Sequence, residues 1–320
     1  MLALRLALAT AGLLVLLAGA ALAAPIGALK QYKIPTADSQ PRDIARGADG
    51  NFWFTESNPN LPAQIGRVTP AGAMSEFGPA CDFCILTDIA QGPDPGVLFF
   101  TSNEAFLGRI TTQGQFLEPI TIPSSSAVGG DLAVHGTDVW FNDFNGDNIW
   151  RYDTLTGQFT AFSVPDTPTD VAVDASGTVW FTINAAEGAI GELDPATGAV
   201  TVTTVGGFMR AIAVATDGDV WFTHRFTPQG VGRLDPATHA VTEFPVPNDT
   251  GPEGITAAPD GGVWITQTLK GNAARVSDAG VITEGKAVKN SEPFGITVDV
   301  TGDPWWVMGS ANKIGELQLR

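Results

Sequence analysis

Few side chains in this chain are suited to chemistry. Among 320 residues there are three histidines and two cysteines. His224 is the histidine best placed to act as a general base or ligand contact, because imidazole changes charge near neutral pH. Carboxylates are plentiful: Asp plus Glu number 34 against 17 Lys plus Arg, for a net charge of −17. Four aspartates, Asp43, Asp88, Asp131 and Asp170, recur at similar intervals. Hard cations take oxygen ligands, so such a ring could grip Ca²⁺ or Mg²⁺. Recurrence once per unit favours a structural role instead, each carboxylate accepting backbone N–H groups at a turn. Glu253 with Glu292 is a second candidate metal pair. Asp143, Asn145, Asp147 and Asn148 have calcium-loop spacing but lack the closing glutamate and flanking helices, which reads as a surface turn. Cys81 and Cys84 are expected to form a local disulfide clip, and two cysteines without nearby histidines exclude a zinc site.

These residues hang on a repeat. Val179-Trp180-Phe181-Thr182 and Val220-Trp221-Phe222-Thr223 are its clearest copies, and related phrases centre on Trp53, Phe99, Trp140, Trp264 and Trp305. The steps run from 40 to 46 residues, a period that marks a solenoid or radial array. One unit reads as four short strands, a to d, joined by turns such as Ser176-Gly177 and Asp194-Pro195-Ala196-Thr197-Gly198. The b strand is apolar on both faces, so each sheet must be covered on both sides, as in radial packing. The glycine of Ile65-Gly66-Arg67 and Ile190-Gly191-Glu192 is read as a place where a neighbouring unit's aromatic meets bare backbone. The a strands are expected to begin near Asp43, Asp88, Asp131, Asp170, Ala211, Gly254 and Gly295. The last unit lacks a d strand, and Gln31-Tyr32-Lys33-Ile34-Pro35 supplies one. The prediction is an all-β, seven-bladed β-propeller of four-stranded blades closed by the N-terminal strand, which removes an open sheet edge.

In such a ring the d–a and b–c connections share one face around the central channel. Residues before strand a (Arg42, Thr87, Thr169, Arg210, Glu253, Phe294) and after strand b (Glu56, Asn103, Asp143, Asn184, His224, Arg225, Gln267, Lys270) are therefore expected to converge at its mouth. The ligand-binding candidates are Arg42, Glu56, Arg210, Arg225, Gln267 and Phe294. His224 and Glu253 are the catalytic candidates and Glu292 the metal candidate. Functional variation is expected one residue past the aromatic phrase, at Glu56, Ser102, Asp143, Ile183, His224, Gln267 and Met308. His135 and His239 read as solvated turn residues.

The N-terminus carries one charge, Arg5, before Lys30, an apolar run around Leu13–Leu17, and Ala21-Leu22-Ala23. This reads as a signal peptide over residues 1–23, with a single propeller domain over 24–320, exported to the periplasm or secreted, without stable membrane insertion after cleavage. An acidic chain gains no counterion release from a phosphate backbone, which excludes general nucleic-acid binding. A monomer is expected.

The pattern Pro-x-x-Ile, Asp-Gly-x-Val-Trp-Phe-Thr, Ile-Gly-Arg, Gly-x-x-Thr-Glu-Phe resembles the streptogramin B (virginiamycin B) lyase family across the mature chain. Glu292-Pro293-Phe294-Gly295-Ile296-Thr297 and Asn312-Lys313-Ile314-Gly315 are especially close. The resemblance implies a seven-bladed propeller that opens a cyclic depsipeptide by Mg²⁺-assisted elimination without water. It implies histidines after the prolines opening the sixth and seventh blades, where this chain has Glu253 and Phe294. It implies a magnesium-holding glutamate at Glu292, and a further glutamate where this chain reads Met308-Gly309. An elimination needs a group to take the proton α to the carbonyl and another to stabilise the enolate. The leading expectation is therefore a propeller binding a small molecule, glycan or protein at the mouth. The alternative is a carbon–oxygen lyase of the streptogramin B type with rearranged residues, His224 as base and Glu292 or Glu253 on a metal.

Overall fold

The computed structural model describes residues 25–124, 129–184, 187–226, 229–247 and 249–319. The signal-peptide expectation, residues 1–23, lies outside the described residues. Seven four-stranded antiparallel sheets form the chain. Blade 4 is typical, with strands Pro168–Val173, Val179–Ile183, Ala189–Asp194 and Ala199–Thr204 in sequential order. The first strands of neighbouring blades touch all the way round, blade 7 against blade 1 included, so the sheets close a ring about a central channel. Blade 7 is completed by Ala28–Lys33, which pairs antiparallel with Lys313–Gln318 and sets Tyr32 opposite Ile314. The predicted closure by the N-terminal strand is the one observed.

Side-chain alternation along the second strand explains how the blades hold together. The tryptophan faces the following blade: Trp140 packs among Val171, Val179 and Leu193, and Trp221 among Val263, Ile265 and Val276. The phenylalanine faces the other way and lies over the glycine of its own third strand. A Cβ added at Gly66, Gly191 or Gly232 would come within 2.1 Å of the Phe54, Phe181 or Phe222 ring. This corrects the expectation for those glycines. The aromatic that needs bare backbone belongs to the same blade, as the cross-strand partner, not to a neighbour.

The fourth residue of the phrase is a polar bridge between blades. Thr223 Oγ1 accepts from Ala211 N at 3.1 Å and donates to Glu253 O of blade 6 at 2.8 Å. Thr266 does the same between Gly254 N at 2.8 Å and Phe294 O at 2.7 Å. Asn142 takes this part in blade 3, with Asp131 N at 2.7 Å and Pro168 O at 2.9 Å. These partners sit at a bulge near the start of each first strand, where the register slips, as between Met209 and Ile212 or Pro252 and Ile255. The first strands accordingly begin about two residues earlier than the apolar pattern suggested. A bulge re-aims side chains, and here it turns them into the channel.

Candidate functional site

The channel holds a cavity of about 210 Å³ lined by bulge residues of all seven blades, among them Arg42, Thr87, Asp88, Asp131, Asp170, Arg210, Glu253 and Phe294. Its two halves differ. In blades 1, 2 and 4 the bulge aspartate reaches across to the next blade. Asp43 Oδ2 accepts from Ile89 N at 3.3 Å, Asp88 from Leu132 N, and Asp170 Oδ2 from Ile212 N at 2.8 Å. The aspartates are therefore inter-blade latches bonded to backbone N–H groups. Asp131 differs, because its carboxylate makes no hydrogen bond with a described residue and faces the channel. Burial, followed by the charges of Asp43 and Asp131, pushes the Asp88 carboxyl well up, and burial followed by Asp131 does the same for Asp170. Burial lifts Asp131 to about 6 against the opposing pull of Arg210 and Arg42.

In blades 5, 6 and 7 the latch position is Ala211, Gly254 and Gly295, and the preceding residue dominates. Glu253 is buried between two arginines. Arg210 Nε is bonded to its Oε1, and Arg225 Nη1 lies 2.8 Å from Oε2, off-line for a hydrogen bond and held by charge. The guanidinium of Arg225 also sits 5.6 Å from the Phe226 ring, which meets Phe208 edge-on at 5.0 Å.

Between blades 7 and 1 the mouth opens into a cleft of about 350 Å³, lined by Asp38, Gln40, Arg42, Ser57, Glu292, Phe294 and Ser310 with Pro41 and Gly309. Arg42 and Phe294 line both spaces and so join the cleft to the channel. Arg42 is exposed and makes no hydrogen bond or ion pair with another described residue. Asp38, Gln40 and Glu292 all adopt left-handed backbone, with φ of 55°, 50° and 46°. Such conformations cost about 1 kcal/mol or more and collect at ligand clamps and active sites. Asp38 and Gln40 lie in the strap over residues 34–40, whose Ser39 N and Oγ both donate to Asn312 Oδ1, at 2.8 and 2.9 Å. Glu292 accepts a hydrogen bond from the Ser310 hydroxyl.

Of the residues expected at the mouth, Arg42, Thr87, Arg210, Glu253 and Phe294 line the channel, Glu292 lines the cleft, and Arg225 touches the site through Glu253. The residues following the second strand do not gather there. Glu56, Ser102, Asp143, Ile183, His224, Gln267 and Met308 are all buried between blades. Glu56 faces a small hollow under the strap beside Thr36 and Gln64, and Gln267 has both amide atoms buried without a hydrogen bond. Burial and then the charge of Glu76 raise Glu56 to about 8. His224 points away from the channel. Thr223 faces Glu253 of blade 6, so the next residue faces blade 4, where His224 Nδ1 would lie 2.7 Å from a Cβ on Gly207. Its Nε2 is 3.2 Å from Glu243 of its own outer strand. His224 and Glu253 thus lie on opposite faces of blade 5. Lys270 pairs with Glu284 at 2.6 Å. Cys81 and Cys84 are joined as a disulfide.

The position implied for magnesium does not fit that ion. Glu292 is bonded to Ser310, Asp38 is the one other carboxylate lining its cleft and the cation Arg42 lines it too, and no group of three or more acidic, histidine or cysteine side chains among the described residues is disposed to hold a metal. Sequence reading missed Asp38, Gln40 and Ser310. They belong to connections with no periodic signal.

A model of the virginiamycin B lyase family matches residues 22–196 and 132–320. A streptogramin B lyase structure superposes with a TM-score of 0.82 at 25% identity, over 92% of this chain and 98% of that one. A catalytically inactive histidine-to-alanine variant of virginiamycin B lyase from Staphylococcus aureus, solved with quinupristin, gives 0.81 at 25% identity over 92% and 99%. Kuenenia stuttgartiensis hydrazine synthase gives 0.74 at 13% identity over 89% and 97%, a likeness of fold alone. A search of the curated proteins matches none to this sequence. With the whole ring covered by the family model, the chain belongs to the virginiamycin B lyase family.

Proposed function

We propose that this chain is an exported binding propeller that takes a small molecule at the blade 7–blade 1 cleft and does not carry out the elimination implied by its family resemblance. The observation that carries this reading is the state of the acid–base groups. Glu253 is neutralised between Arg210 and Arg225, His224 faces another blade, and Phe294 stands where the resemblance implies a histidine. A base must reach the proton it removes, and none of these three groups is free to do so at the mouth. What the cleft offers is recognition. Arg42 is an uncommitted cation, Phe294 an apolar wall, and the Ser57 and Ser310 hydroxyls, which donate to Leu86 O and Glu292, are left to accept. Its volume falls within the roughly 300–1,000 Å³ of small-ligand sites. The ligand this suits has an apolar ring and an anionic group. Export rests on the leader-like N-terminus and is checked by whether the mature chain begins after Ala23 when the full gene product is expressed.

N-acetylphenylalanine and its methyl ester are suitable probes, with binding followed by amide chemical shifts. Saturable shifts at Gln40, Arg42, Phe294 and Ser310 with the acid are expected, weaker with the ester. Arg42→Ala should weaken the acid by about tenfold, the loss of one charge-assisted contact. Shifts confined to other parts of the ring would overturn the assignment.

A further inference from the structure

The junction between blades 3 and 4, on the face opposite the mouth, holds a cavity of about 390 Å³. Three side chains of blade 3 form one wall: His135 ends the first strand, Asp138 opens the second, and Arg151 lies on the third. His135 is the cross-strand partner of Asp138, and Arg151 that of Trp140, so all project toward blade 4. Turns of blade 4 carrying Ser176, Thr178, Asp194 and Ala196 form the other wall, with the Asp194 carboxylate already bonded to Ala196 N and the Thr197 hydroxyl.

Three other junctions are bridged at this level. Arg67 of blade 1 donates to Thr112 O of blade 2 at 3.3 Å, and Arg233 of blade 5 to Asp278 O of blade 6 at 3.0 Å. Glu192 of blade 4 meets His239 of blade 5 at 3.1 Å. Blade 5 is the closest parallel, because its Asp219 and Arg233 correspond to Asp138 and Arg151 and lie 3.4 Å apart. In blade 3 that pair is stretched to 4.0 Å, and Arg151 otherwise reaches Thr160, at 3.5 Å, and the Trp140 ring, at 5.8 Å, both of its own blade. None of these contacts crosses to blade 4. Register also sets His135 where blade 5 has Ala215. This junction thus lacks the cross-blade bond and gains an imidazole beside an open space.

The chemistry of the walls selects the occupant. Arg151 supplies only donors and Asp138 only acceptors, while His135 can do either. The Asp138 carboxylate makes no hydrogen bond with another described residue, and burial raises its pKa although Arg151 opposes the shift. A simple anion would meet Asp138, and a simple cation would meet Arg151. Vicinal hydroxyls satisfy both, one donating to the carboxylate and its neighbour accepting from the guanidinium. We infer that this junction is a binding site for a neutral polyhydroxylated ligand of the saccharide type, with hydroxyls seated between Asp138 and Arg151 beside His135. The volume is within the roughly 300–1,000 Å³ of small-ligand sites.

The test is titration of the full, isotope-labelled chain with methyl α-glucoside, methyl α-mannoside and N-acetylglucosamine, read by amide shifts. At least one sugar should give saturable shifts at His135, Asp138, Thr178 and Ala196. Asp138→Asn should weaken it by about tenfold or more, the cost of losing a charged hydrogen-bond partner. Should that variant fold poorly, Ala196→Trp, at an exposed turn position, should abolish binding while leaving the melting temperature in place. The inference is overturned if none of the three sugars shifts these amides or if binding survives Ala196→Trp. It is also overturned if inorganic phosphate binds there while the sugars do not.

Discussion

The two halves of the channel wall solve the same problem differently. Each bulge sets two residues at the ring's inner surface. In blades 1, 2 and 4 the second of them is an aspartate spent on the backbone of the next blade. In blades 5 to 7 it is Ala211, Gly254 or Gly295, and closeness of backbone replaces the latch. A Cβ on Gly295 would lie 2.0 Å from Asp43 Oδ1, and one on Gly254 would lie 2.5 Å from Phe294 O. The preceding position carries a large side chain into the channel in these blades, as Arg210, Glu253 and Phe294 do, and also in blade 1, where Arg42 precedes the Asp43 latch. Blades 2 and 4 place only Thr87 and Thr169 ahead of their latches, and the proposed recognition surface runs from Phe294 of blade 7 along the strap to Arg42 of blade 1.

The comparison can be broken most severely at Glu253. Glu253→Ala leaves Arg210 without its partner in the channel wall, and removing one member of a buried ion pair costs about 3–5 kcal/mol. Urea unfolding should register that loss, whereas an effect no larger than a surface substitution would mean the clamp is ornamental. Glu56, under the strap, tests whether burial without partners is a liability. Its folded-state pKa, about 8, lies above the unfolded value near 4.5. The folded chain therefore holds a proton that the unfolded chain releases, and stability falls as pH rises from about 4.5 to 8. Glu56→Gln should flatten that slope and raise the melting temperature at pH 8, and an unchanged pH profile would contradict the assignment. Asp170→Ala converts a latched blade to the Ala211 form without the compensating backbone approach. It strands Val171 N and Ile212 N, at about 1–3 kcal/mol per unsatisfied group. Thr223→Val should cost less, about 1–2 kcal/mol, because blade 7 tolerates Val307 at the corresponding position. Equal losses for Asp170→Ala and Thr223→Val would erase the distinction between latch and bridge.

The sequence carried the fold almost completely. A spaced aromatic phrase requires sheets covered on both faces, and the missing last strand required the N-terminus to close the ring. Half of the mouth was legible for the same reason, since Arg42, Arg210, Glu253 and Phe294 hold one register position in successive units. The other half was misjudged, although the evidence lay inside the phrase. With tryptophan facing one neighbour and phenylalanine the other, threonine returns to the tryptophan side and the fifth residue must turn back between blades. His224, Gln267 and Glu56 follow that rule and are buried. The cleft at Asp38, Gln40 and Ser310 depends on left-handed loop residues, which no periodicity announces.

The central claim is that the mouth recognises a ligand without carrying out the elimination. Incubating the purified protein with quinupristin and Mg²⁺, followed by liquid chromatography with mass detection, tests it most directly. Elimination breaks the ester C–O bond as the α-proton leaves, giving a linear product of unchanged mass and altered retention. The account predicts that the cyclic compound is recovered whole at the rate of the protein-free control. A time-dependent isomeric product, lost in the Glu253→Ala or Glu292→Ala variant, would contradict it.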